Sequence, residues 1–298
     1  MRTLLAGDVK ILGSLTPPTG LIPPTKYRIE EHGASRTMSV DGKPALSRSI
    51  DLAIGSGRFG VTYLHLATDG LERLRMSYLP PYKRWYVHPG DETLALYDPP
   101  SRLSSGESRT CLTCHSVTQP DDTFMPKPEF FGVGCESCHG PSAAHVAAAK
   151  AGSKDLHIES IGKWGAARIN QMCGRCHAKP GSAPEEMLTD PKEMRRYAPN
   201  ALMQSRCFVQ SLDALSCITC HAPHTDANPN RPEYDRVCLS CHAREGNRPN
   251  KGSPCPVNAT SKCTNCHMKP GKFEPKSNLP TEMTDHYIRV PGHNLTVE

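Results

Sequence analysis

Aromatic residues make up only 6% of this 298-residue sequence and hydrophobic residues of every kind only 37%, so side chains alone would furnish a thin core. Long apolar runs are missing as well. No stretch approaches the roughly 18 uninterrupted apolar residues of a membrane-spanning helix, which excludes a helical span in the chain as given. The opening Met1-Arg2-Thr3-Leu4-Leu5-Ala6-Gly7 starts like an export signal, but Asp8 and Lys10 interrupt it before it reaches the length of a signal core. Export information is therefore expected upstream, or Met1 is not the biological start. An excess of one charge sign is lacking too: 35 basic and 30 acidic residues leave a formal charge of +5, and this near balance, with apolar segments remaining, argues against a disordered chain. What the sequence has in plenty is proline (28), glycine (23), cysteine (14) and histidine (14).

Twelve of the 14 cysteines fall into six copies of one pattern, C-x-x-C-H: Cys111/Cys114/His115, Cys135/Cys138/His139, Cys173/Cys176/His177, Cys217/Cys220/His221, Cys238/Cys241/His242 and Cys263/Cys266/His267. Composition alone would produce about 0.03 copies. Two thiols three positions apart can add to the two vinyl groups of one haem, and the adjoining histidine then lies beneath the iron as its proximal ligand. Paired C-x-x-C units can also build Cys₄ zinc sites, and a lone C-x-x-C can be a redox dithiol. Zinc, however, does not require a histidine after every second cysteine, and a redox dithiol would occur once. The reading is six covalently held haem c groups. Cys207 and Cys255 are left over, 10 and 8 residues upstream of a motif. Haem attachment of this kind takes place outside the reducing cytoplasm, where such a pair is expected to oxidise to a Cys207–Cys255 disulfide; two unpaired thiols are the alternative.

The motifs lie between positions 111 and 267, which predicts a haem-free β-rich domain over 1–105 and a hexahaem domain over 106–298. In the first, strands are expected at 27–31, 36–40, 50–54, 60–67 and 71–79, with Asp41-Gly42 and Asp69-Gly70 as hairpin turn signals. Gly55-Ser56-Gly57-Arg58-Phe59-Gly60 fits G-x-G-x-x-G, but the next six residues, Val61 to Leu66, are strand-like, where a dinucleotide site needs a helix. In the second, short helices are expected at 142–151, 166–178 and 234–243, with proline-punctuated coil between them. Such coil can order only if large apolar macrocycles serve as its core. The fold class is thus a mostly irregular multihaem cytochrome c with short α-helices, preceded by a small antiparallel β domain.

Full six-coordination needs six histidines beyond the motifs, and eight are present: His32, His65, His88, His145, His157, His224, His286 and His293. His145 and His224 closely follow haem motifs, and both are read as ligands to a neighbouring iron. His286 follows Asp285, a candidate partner for its ring. His293, His157 and His65 complete the set of distal candidates. For His65, as for His88 and His32, a solvated or packed side chain is the ordinary reading. Met125, Met172 and Met203 are alternatives that plentiful histidine makes unnecessary. An all-histidine set implies low-potential haems that pass electrons. Twelve haem propionates would move the net charge to about −1 with ferric irons and about −7 when reduced, which leaves no case for nucleic-acid binding.

The sequence resembles bacterial multihaem c-type cytochromes of the cytochrome c554-like kind. The resemblance rests on 134–141 (GCESCHGP) with His145-Val146, on 204–208 (QSRCF) leading to 215–224 (LSCITCHAPH), and on 263–268 (CTNCHM) with Thr284-Asp285-His286. It extends to 54–58 (IGSGR), Ser77-Tyr78 and Pro89-Gly90. It implies distal ligation by His145 and His224, and often a further amino-terminal haem motif and a signal sequence that this chain does not display. No C-x-x-C-K motif of the pentahaem nitrite reductases occurs. The expectation is an exported electron-transfer protein, periplasmic or extracellular, serving redox protein partners or an extracellular acceptor. It could also be a subunit of a cytochrome filament. The alternative is a reductase of a small nitrogen or sulfur oxyanion at one five-coordinate haem.

Overall fold

The computed structural model describes residues 17–33, 35–55, 59–88, 91, 94–117, 130–178, 195–211, 214–245, 248–249, 252–258, 260–272 and 281–291, with the backbone of Arg2–Leu5. It divides into two compact units, Met1–Ile158 and Glu159–Glu298. The first unit therefore takes in two of the six motifs as well as the strands that precede them.

Eleven strands are described in the first unit: β1 (Arg2–Leu5), β2 (Gly20–Leu21), β3 (Tyr27–His32), β4 (Ser35–Val40), β5 (Arg48–Ser49), β6 (Leu52–Gly55), β7 (Val61–Ala67), β8 (Gly70–Arg73), β9 (Met76–Leu79), β10 (Arg84–Val87) and β11 (Ser101–Leu103). They form an antiparallel four-stranded sheet, β2-β3-β4-β5, and a seven-stranded one in the order β1-β6-β7-β8-β11, with β9 joining β7 to β10. Alternation explains the first sheet: Tyr27 and Ile29 of β3 and Met38 and Val40 of β4 all point inward, and their registers coincide at Tyr27↔Val40 and Ile29↔Met38. Asp69 lies in the tight turn between β7 and β8, where Ala67 pairs with Gly70. The run 71–79, expected as one strand, is broken after Arg73. Leu74 donates its N–H to Tyr63 and Arg75 turns inward, so β8 pairs with β7 and β11 while β9 pairs with β10. The glycine at 55 closes the β6–β7 hairpin, where a Cβ would strike the Gly60 carbonyl oxygen; that is a strand role, not a nucleotide-binding one.

Two apolar clusters fill this unit. One gathers Ile22, Tyr27, Ile29, Met38, Val40, Ile50, Val61, Tyr63, Leu74 and Met76 with Ala53, and the other Leu52, Leu64, Leu71, Leu103 and Leu112. Arg75 is buried beside buried Asp91, at 3.4 Å, and its guanidinium donates to the Leu94 and Ala95 carbonyls. Among the described residues the unit also has three α-helices: α1 (Ser105–His115), α2 (Glu136–His139) and α3 (Ala143–Lys150).

Among the described residues the second unit has six α-helices with stated bounds, α4 (Ala166–His177), α5 (Ala198–Met203), α6 (Arg206–Gln210), α7 (Cys217–Cys220), α8 (Asp235–His242) and α9 (Cys263–His267). Two small ribbons join them, β12 (Arg244–Glu245) with β13 (Arg248–Pro249) and β14 (Pro270–Lys272) with β15 (Glu282–Thr284). Its buried apolar side chains, among the described residues, are Ile161, Ala166, Ile169 and Ala201. Its buried polar ones are more numerous: Asn170, Asn200, Ser205, Ser216, Asp235, Thr264, Thr281 and Asp285.

Candidate metal centres

Every C-x-x-C-H motif lies on a helix or at its end, so its two cysteines stand one turn apart on one face and the histidine closes the turn. The first is built onto the sheet. Ser104 caps α1, accepting from the Glu107 N–H at 3.2 Å while the Glu107 carboxylate accepts from the Ser104 N–H at 2.8 Å. Those bonds hold the Glu107 carboxyl below its usual range. One turn on, buried Ser108 accepts from Leu71 N–H at 3.2 Å, and Leu112, between Cys111 and Cys114, enters the leucine cluster. His115 becomes a half-buried ring whose Nδ1 has no hydrogen-bond partner. Burial pushes it down to about 4, so it is a neutral imidazole.

The second motif is tied to the first through the main chain: Gly132 donates to the His115 carbonyl at 2.8 Å and Val117 to Phe130 at 2.7 Å. Inside the motif, Glu136 accepts from both the N–H and the hydroxyl of Ser142, each at 2.6 Å, which fixes the start of α3 relative to Cys135, Cys138 and His139. His145 on α3 donates from Nδ1 to the Leu156 carbonyl at 2.7 Å. Its Nε2 then carries the lone pair.

That arrangement recurs. His242 Nδ1 lies 2.8 Å from Ser253 O, His267 Nδ1 2.8 Å from Arg289 O, and His286 Nδ1 3.1 Å from Thr284 O. An Nδ1–H bonded to a carbonyl fixes the ring, selects the tautomer and makes Nε2 the better donor. Gly252 is packed so closely on His242 that a Cβ would come within 2.7 Å of Nδ1. His286 differs from the expectation in one respect. Its partner is the Thr284 carbonyl, whereas Asp285 accepts from Tyr287 N–H at 2.9 Å and Arg289 at 2.6 Å. Buried Ser205 holds the same segment by accepting from Ile288 N–H at 2.9 Å. The His286 and His221 rings lie with centroids 6.1 Å apart, planes at 36°. Burial and the nearby His221 push His286 down, and burial lowers His221 and His177, which favours the neutral imidazole in all three.

In the second unit the motifs also meet each other. Asn170 of α4 accepts from Cys217 N–H at 2.9 Å, and Asp235 of α8 accepts from Cys263 N–H at 2.9 Å and Lys262 N–H at 2.6 Å. The Cys173 and Cys217 sulfurs are neighbours, as are those of Cys238 and Cys263. The second cysteines of these motifs are set less uniformly than six identical patterns suggest. Cys176 and Cys241 are half-buried on α4 and α8, whereas Cys220 on α7 and Cys266 on α9 are exposed, one turn beyond a more enclosed first thiol. Arg231 grips the far end of the sixth motif, donating to the Thr264 and Met268 carbonyls at 2.7 and 3.0 Å.

The remaining candidates are dispersed. His65 on β7 shares its Nδ1 between Asp51 at 2.8 Å and Ser49 at 2.9 Å. His157 is exposed, with a left-handed backbone (φ 48°) and Asp155 at 3.6 Å, and His224 lies in the exposed loop after α7. His293 and Met125 fall outside the described residues. Cys207 and Cys255 form no disulfide: Cys207 is half-buried in α6 near Cys241, while the Cys255 sulfur accepts from Asn258 N–H at 3.4 Å. The residues reasoning from sequence missed are Asn170 and Asp235, whose one signal is a shared place three positions before a motif cysteine.

The donor set fits covalently attached haem. Thiol pairs one helical turn apart, Cys173 with Cys176 and Cys263 with Cys266 among them, stand beside imidazoles, several of them oriented by carbonyls. Among the described residues no three His, Cys, Asp or Glu side chains converge as a compact metal cluster. The described helices contain none long and apolar enough to cross a membrane.

Two family models and one curated relative point the same way. Residues 94–140 match the family model described as cytochrome c554 and c-prime, and residues 211–247 match the doubled CXXCH motif. The chain is 26% identical over 202 residues to the multiheme cytochrome MtrA of Shewanella baltica (strain OS185), an alignment covering 63% of this chain and 50% of that protein. The chain thus spans half the length of this curated relative. The crystal structure of the outer cell wall cytochrome OcwA superposes with a TM-score of 0.48 at 16% identity, covering 80% of this chain and 68% of that one.

Proposed function

We propose that the chain, which resembles bacterial multihaem c-type cytochromes, is an electron carrier holding six haems, most of them ligated by two histidines. Each bound haem supplies a one-electron iron couple. The observation that carries the reading is the approach of His286 to His221. Two imidazole nitrogens about 2 Å from one metal, on opposite sides, would set their ring centroids about 6 Å apart. The separation found is 6.1 Å. His221 and His286 would hold the fourth haem between them, with Thr284 and Ser205 keeping the His286 segment in place. His145, with the same carbonyl-anchored tautomer, is a second distal ligand.

Ligation by two histidines keeps the potentials low and leaves those irons closed to small substrates, which suits transfer to redox proteins or to an extracellular acceptor. Haem attachment to cysteine assigns the chain to the periplasm or the cell exterior, and the haem-bearing stretch is 106–298. A place in an extracellular filament extends the same role, with distal ligands drawn from a neighbouring copy. Discrete monomers by microscopy under native conditions would count against that extension.

The test is low-temperature electron paramagnetic resonance of the ferric holoprotein together with its intact mass. Six haem increments and low-spin signals alone are expected. A high-spin haem in the unmodified protein would overturn the closed-iron reading and favour the oxyanion reductase. His286→Met should raise the potential of a single haem, and His286→Ala should turn that haem high-spin.

A further inference from the structure

We infer that the second unit is assembled from two haem pairs, three with four and five with six, each locked by one buried side chain placed three residues before the first cysteine of the pair. Those side chains are Asn170 and Asp235. This inference rests on the carrier reading and adds to it which attachment sites are neighbours and which residues make them so.

Asn170 precedes Cys173 by one helical turn on α4 and Asp235 precedes Cys238 by one turn on α8, so each oxygen lies on the helix face that carries the cysteine. Both residues are buried, at 7% and 5% exposure, where an unpartnered polar group would be costly. Each side chain accepts the N–H of the first cysteine of the following motif: Asn170 from Cys217 and Asp235 from Cys263, both at 2.9 Å. These are orphan donors at the amino ends of short helices, which have no partner within the helix. Here an acceptor comes from the preceding motif, 47 residues away in one case and 28 in the other, and at α7 it adds to the local Ser216–Thr219 capping pair.

Secondary bonds fix each clamp further. Asn170 also donates from Nδ2 to the Leu215 carbonyl at 3.1 Å. Asp235 also takes the Lys262 N–H at 2.6 Å, and Lys262 sits in the left-handed region (φ 60°), which bends the chain so that both amides face one carboxylate. The consequence is the same on both sides. The first cysteine of each motif meets the first cysteine of its partner, so groups attached there are neighbours whatever their sequence spacing.

The two clamps differ in charge. Asn170 is a neutral amide, whereas Asp235 offers a carboxylate, so Asp235→Asn keeps an acceptor for Cys263 N–H while removing a negative charge beside the fifth and sixth sites. It should raise the potential of that pair and leave the third and fourth where they were.

The test uses the mature holoprotein and variants Asn170→Leu, Asp235→Leu, Asn170→Asp and Asp235→Asn, with a redox titration followed by electron paramagnetic resonance. In the unmodified protein the irons of each pair should titrate as magnetically interacting partners. Asn170→Leu should abolish the interaction in one pair alone and Asp235→Leu in the other, while Asp235→Asn and Asn170→Asp retain both. A matured leucine variant with wild-type coupling overturns the inference. If the leucine variants do not mature, amide hydrogen exchange decides on the unmodified protein and the two conservative variants. Cys217 and Cys263 N–H should exchange at least about tenfold more slowly than uncapped helix-end amides, and rapid exchange at both overturns the clamps. A wild-type mass lacking haem on these four motifs would sink the carrier reading itself; full loading with uncoupled irons would sink the pairing alone.

Discussion

The two units of the molecule solve the same problem with different materials. Residues 1–158 bury leucine, isoleucine, valine and tyrosine between paired strands and set the first haem motif on that surface through Leu112 and Ser108. Residues 159–298 bury two isoleucines and two alanines among the described residues, and fill their interior with Asn170, Ser205, Asp235, Asp285 and similar groups that grip main-chain amides. A core of side chains is complete without a cofactor. A frame of polar clamps is not, because the apolar surface that would drive its collapse must come from the macrocycles the cysteines hold.

The largest effect should come from withholding haem. Apoprotein made without maturation should keep slow amide exchange in the strands over 52–79 and lose protection by about 100-fold or more beyond residue 159, as read by hydrogen exchange with mass spectrometry. Equal protection in both units would break the comparison. Leu112→Ala should cost about 2–5 kcal/mol because it empties a fully buried site. Thermal unfolding should show the loss in the first unit, with the low-spin signals of haems three to six unchanged. Gly252→Ala should act on one haem: its methyl group would displace the His242 ring, shifting the fifth haem's resonance signal and potential while the melting of the β sheets stays put. The smallest effect belongs to Glu107. Its carboxyl is held down by Ser104, so the stability it lends α1 is whole above the ordinary carboxylate pKa of 4.5 and is lost as the pH falls through its lower folded value. Ser104→Ala should flatten that acid dependence, measured by melting between pH 5 and about 3.

Local signals are legible where the physics is local. The helices at 143–150, 166–177 and 235–242 stand where helical spacing and flanking residues put them, and the Asp69-Gly70 turn joins two strands in register. The helix at 105–115 is not among those expected, although Ser104 and Glu107 form a readable capping pair, because the threonines and cysteines of 110–114 are weak helix formers. The break between β8 and β9 is not readable: Arg75 turns inward only because Asp91 and the Leu94 and Ala95 carbonyls wait for it there. The expected Cys207–Cys255 bridge fails for the same kind of reason. Redox chemistry allows such a bond, but only the path of the chain decides whether two sulfurs meet. Nor does a repeated motif reveal how each copy is shielded: Cys176 and Cys266 hold the same place in their patterns, yet one is half-buried and the other exposed.

What the sequence determined by itself is covalent and short-range: six thiol pairs, each with a histidine one residue on, carry their chemistry within five positions. Which imidazole faces which, and which motif lies against which, depends on loop closures of 65 residues between His221 and His286 and of 47 between Asn170 and Cys217. No pattern within a motif encodes those distances, because the contacts that close them are buried polar bonds whose partners are chosen by the fold.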